Sequence, residues 1–96
     1  MLLLPEQRII LAALLLAVAE QDIKFVRVKT REPARTFRVK SRLSEAAKEF
    51  VWSEEFEDMA SEINMNADRL RVYPEKAYRA YQKLISDSGE FESELS

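Results

Sequence analysis

The 96 residues, 47% hydrophobic and 33% charged, fit one small domain that folds rather than staying disordered. The absence of cysteine and histidine excludes disulfides, thiolate nucleophiles, cysteine/histidine zinc sites and serine–histidine catalysis. The single glycine, Gly89, excludes phosphate-cradling glycine loops and argues against an all-β fold. A net charge of −2 hides a sharp division: residues 24–42 carry eight cations and one acid, whereas residues 43–96 carry thirteen acids and six cations. Such asymmetry points to an anionic partner, or to neutralisation of one half by the other.

The first element is the unbroken apolar run from Ile9 to Ala19. It is too short for a membrane span, which needs about 20 apolar residues. The preceding segment has a proline, a glutamate and one arginine, where a secretion signal wants a positive start. The reading is a long apolar N-terminal helix entered at Pro5, with Glu6 complementing its positive end. A helix with no polar face must be covered on all sides. A chain this short is expected to achieve that by pairing with a second copy, through Ile10, Leu11, Leu14, Leu15 and Val18. No membrane association and a cytoplasmic setting follow from the same reading.

Residues 23–40 change period. Val26 and Val28 alternate with Arg27 and Lys29, and Phe37 and Val39 with Arg38 and Lys40, which reads as two strands joined through a proline turn. The expectation is a basic β-hairpin resting on the helices, with a disordered basic loop as the alternative. Its cations are Lys24, Arg27, Lys29, Arg31, Arg35, Arg38, Lys40 and Arg42. They suit either a nucleic-acid surface or a solvated edge that resists aggregation.

Helical signals follow. Ser44 reads as the N-cap of one helix and Ser53 of the next, whose first turn is acidic. Asn64 suits the left-handed residue that ends a helix, Asn66 caps another, and Pro74 opens the last. The fold class is therefore α+β, mainly α, with three or four helices in the C-terminal half. Residues 1–86 form a single domain and residues 87–96 an acidic flexible tail. The carboxylates Glu54, Glu57 and Asp58 fall at a helix start, so no metal, cofactor, catalytic residue or small-molecule substrate is expected.

Residues 56–73, FEDMASEINMNADRLRVY, resemble the helix-turn-helix in region 4 of bacterial sigma factors. Ala60 matches the small residue at the helix crossing, Met59, Ile63, Met65 and Leu70 the apolar contacts, Asn64 the turn and Asn66 the cap. The resemblance implies that Asp68, Arg69 and Arg71 lie near a DNA groove. Pro74 falls where a recognition helix would continue. The leucine-rich opening, AAKEFVWSEEFEDMA and NADRLR also resemble short proteins encoded by phages and prophages of Proteobacteria. That resemblance implies a small accessory protein. Together the residues predict a non-enzymatic nucleic-acid-binding accessory or regulatory protein, with DNA the expected partner. The alternative is an inhibitor or adaptor that binds an acidic or host protein, or acts through its own acidic helices and tail.

Overall fold

The computed structural model describes the backbone of residues 4–95 and the side chains of residues 4–86. Five α-helices follow in order: α1 (Pro5–Glu20), α2 (Pro33–Val51), α3 (Glu54–Glu62), α4 (Ala67–Leu70) and α5 (Pro74–Leu95). A 3-10 turn, Ile23–Phe25, lies between α1 and α2. No strand occurs among the described residues.

The α+β class and the β-hairpin are thus corrected to an all-helical fold. Residues 26–30 have no regular structure and join no strand ladder among the described residues, because the segment expected as the second strand is the first half of α2. The cause is periodicity over a longer window. Phe37 and Val39 alternate with Arg38 and Lys40 for only four residues. Thr36, Lys40, Ser44, Ala47 and Val51 recur at helical spacing along one partly or fully buried face. Pro33 supplies the fixed φ of a helix start, and no glycine or proline interrupts the next 18 residues. Ser44 is accordingly no cap. It is buried in mid-helix, and its Oγ donates to the Gln21 carbonyl at 2.8 Å.

The long apolar helix is corrected as well. α1 has 16 residues, fewer than the 19 of α2 or the 22 of α5. Leu14, Leu15, Val18 and Ala19 are buried, while Ile9 is 71% exposed and Ala13 also faces water. α1 packs most extensively on α5, then on α2 and α3. The core joins its buried residues to Val51, Phe56, Ala60, Ile63, Leu70 and Ala77. One chain therefore supplies the cover for Leu14, Leu15 and Val18 that the sequence assigned to a second subunit. Ile10 and Leu11 pack, half-buried, against the same core.

Local chemistry sets the other boundaries. The Phe56 amide donates to Ser53 Oγ at 3.3 Å and the Asp68 amide to Asn66 Oδ1 at 2.8 Å. Asn64 takes φ 57°, and the Met65 amide returns to the Ala60 carbonyl at 2.9 Å, closing α3. Gln21 binds the end of α1 to α2: besides accepting from Ser44, its Oε1 accepts from Trp52 Nε1 at 3.2 Å. No helix among the described residues is long and apolar enough to cross a membrane. The acidic tail expected over residues 87–96 falls on residues whose side chains lie outside the described ones.

Candidate nucleic-acid interface

Residues 24–30 and the start of α2 face each other across an open groove of about 770 Å³. Val26, Arg27, Val28 and Lys29 line one wall, Pro33, Thr36, Phe37 and Lys40 the other, with Lys24 at one end. Both walls are anchored. Phe25 stacks on Tyr78 of α5 with ring centroids 4.6 Å apart, and the Arg27 guanidinium lies over the Tyr78 ring and donates to its hydroxyl. At the bend, the Thr30 amide donates to Thr36 Oγ1 at 2.9 Å and the two threonine hydroxyls meet at 2.7 Å. The Thr30 hydroxyl also donates to the Glu32 carbonyl at 2.8 Å. These bonds join the first wall to the first turn of α2 and hold the groove's shape in advance of any ligand.

The eight expected cations divide between two surfaces. Lys24, Arg27, Lys29 and Lys40 line the groove. Arg35, Arg38 and Arg42 fall at helical spacing on one exposed stripe of α2, and Arg31 stands exposed just before that helix. A single hairpin face carrying Arg27, Lys29, Arg38 and Lys40 does not form, since 100° per residue separates Arg38 from Lys40 by more than half a turn. Lys24 reaches Asp22 at 3.8 Å. Among the described residues, no carboxylate stands within 4 Å of Lys29, Arg31, Arg35, Arg38, Lys40 or Arg42. The peptide groups of Arg27, Val28 and Lys29 likewise make no hydrogen bond within the described chain.

Phe37 is the groove's conspicuous apolar residue, with 64% of its surface exposed. Val26, at its floor, is buried. The combination is an apolar base with a flat ring, bordered by cations.

The corner of α3 and α4 is built differently. Ala60 sits at the helix junction, and Phe56, Ile63 and Leu70 are buried beneath it. α4 is a single turn that ends at Arg71. The Arg71 side chain is only 8% exposed. Its Nε donates to the Val51 carbonyl at 2.8 Å, and its Nη1 meets Asp68 at 3.0 Å and Glu57 at 3.4 Å. The guanidinium also lies 4.9 Å from the Trp52 ring centroid and 5.3 Å from that of Phe56. Arg71 thus closes the end of α2, whose last carbonyls have no helical partner. Of the two arginines the helix-turn-helix resemblance singled out, only Arg69 is free in water.

A smaller cavity of about 170 Å³ lies between α1 and α5, lined by Leu16, Glu20, Phe25, Arg27, Tyr78 and Tyr81. Burial raises the Glu20 carboxyl above its ordinary value by disfavouring the charged form. Among the described residues, no group of three acidic side chains is placed to hold a metal ion. The chain matches no family model, no curated protein and no solved structure.

Sequence reasoning named the cations but missed what organises them. Local periodicity places Phe37 in a strand, and the Thr30–Thr36 clip has no local signal. Gln21 and Tyr78 act here through contacts distant in sequence, with Ser44 and Trp52 and with Phe25 and Arg27.

Proposed function

We propose that this chain is a non-enzymatic nucleic-acid-binding accessory protein that engages phosphates through the cations of residues 24–42. The observation carrying this reading is the set of six cations with no carboxylate within 4 Å among the described residues. Like charges repel one another, and an anionic polymer relieves that repulsion. Lysine and arginine are also the side chains that neutralise phosphate and release its counterions. Arg69 is assigned a secondary, peripheral contact. Arg71 is assigned to the fold, because its guanidinium is already bonded on several sides. A cytoplasmic, regulatory setting goes with this reading.

Titration of a fluorescent duplex across a salt series tests it. With about four phosphates engaged, the log–log slope of affinity against salt should be near −3.6. Replacing Arg35, Arg38 and Arg42 together by glutamate should abolish binding and leave the helical circular dichroism unchanged. No binding of either duplex or single strand at low salt overturns the reading.

One observation favours an adaptor or inhibitor instead: Trp52 is 68% and Tyr73 84% exposed, and both residue types are enriched at protein interfaces. A pull-down whose partner survives nuclease, together with loss of that partner in Trp52→Ala, would establish the adaptor.

A further inference from the structure

We infer that the groove between residues 24–30 and the start of α2 is a single-strand site, in which Phe37 stacks on a base while Lys29 and Lys40 hold the flanking phosphates. This rests on the nucleic-acid reading above and specifies its ligand. Three independent features converge.

The first is the ring. Phe37 is 64% exposed and lies in the half of α2 that precedes its first buried residue, Ser44. An exposed aromatic face adds nothing to the fold, but it offers a platform to any base whose own face is free. Bases in a duplex are already stacked on one another; unpaired bases are not. The second is the border. Lys29 and Lys40 lie on opposite walls of the groove that Phe37 lines, so a strand passing over the ring meets a cation on each side. The third is the backbone. Among the described residues, the peptide groups of Arg27, Val28 and Lys29 along the groove wall make no hydrogen bond, and amides there can donate to phosphate or base edges. The exposed stripe Arg35, Arg38 and Arg42 continues the positive surface over about 10 Å of helix, in keeping with a ligand whose charge repeats.

An acidic extended peptide would satisfy the cations and the free amides. It would not by its nature supply the flat partner that Phe37 lacks.

The test is fluorescence anisotropy with a labelled 12-nucleotide oligothymidine and with a 12-base-pair duplex, at low salt. The single strand should bind more tightly than the duplex. Phe37→Ala should weaken single-strand binding about fivefold or more and leave duplex binding unchanged, while Phe37→Trp should preserve it. The salt slope on the single strand should be near −0.7 per phosphate. Equal affinity for the two forms, or an unchanged affinity in Phe37→Ala, overturns the inference while leaving the broader nucleic-acid reading standing. Binding of neither form, with a hexaglutamate peptide binding instead, overturns both.

Discussion

Helices α2 and α3 begin under opposite electrostatics, though one residue pair, Trp52 and Ser53, is all that lies between them. α3 opens with Ser53 as a bonded cap and with Glu54, Glu55 and Glu57 in its first turn, the arrangement that a helix's positive end favours. α2 opens on Glu32, whose side chain makes no cap bond. Its first turn carries Arg35 and no acid, with Arg31 just before it and Arg38 just beyond. The first arrangement stabilises the fold. The second opposes it, with only the Glu32 carboxylate at the N-cap to offset the cations. Arginine itself plays both parts: Arg71 is wired into the corner, whereas Arg35 and Arg38 have no partner within the described chain.

Four substitutions break or sharpen this contrast. The largest effect belongs to Arg71→Ala, which leaves the Val51 carbonyl unbonded and uncovers Phe56. It should cost about 2–3 kcal/mol in urea unfolding. A loss near zero would mean that the corner does not depend on its guanidinium. Ser53→Ala removes the α3 cap and should cost about 1 kcal/mol, read as a lower urea midpoint at constant slope. Arg35→Glu should act with the opposite sign. It places an acid at the start of α2 and should stabilise by about 0.3–1 kcal/mol at low salt, while nucleic-acid affinity falls. Loss of stability in that variant would show that Arg35 serves the fold after all.

The smallest effect concerns Glu20. Its folded-state pKa is raised by burial, so the favourable contribution is present below the unfolded value of 4.5 and is lost as pH rises through the raised folded value. Once ionised, the carboxylate opposes folding. Glu20→Gln should therefore flatten the dependence of the melting temperature on pH just above 4.5. Parallel profiles for the two proteins would refute this.

The legible parts of the fold were those written locally. Pro5, Ser53, Asn64, Asn66 and Pro74 each act on the backbone within a few residues, and each marks a boundary where the sequence places it. The first half of α2 was illegible because its inward stripe is polar. Thr36, Lys40 and Ser44 give no hydrophobic signal at helical spacing, so Phe37 and Val39 dominated the pattern. Ser44 tolerates burial only because the Gln21 carbonyl, 23 residues away, accepts its hydroxyl. The cover that α5 gives α1 within the chain is illegible for a related reason, since it comes from the far end of the sequence. In the candidate site, the charges were readable and their geometry was not. Four cations reached the groove, three went to the outer stripe of α2, and one became part of the bend.

The indole stacked on Arg71 gives the molecule a built-in optical probe. Trp52 is the sole tryptophan and follows the last residue of α2, whereas Phe37 lies 15 residues earlier, about 22 Å along the helix axis. The indole, 68% exposed, lies beside the Arg71 guanidinium and donates to Gln21. Its spectrum should change when the corner opens and stay constant when an oligonucleotide fills the groove. Unlabelled protein thus reports its own integrity during a titration, and loss of the fold is told apart from loss of the ligand in a single cuvette.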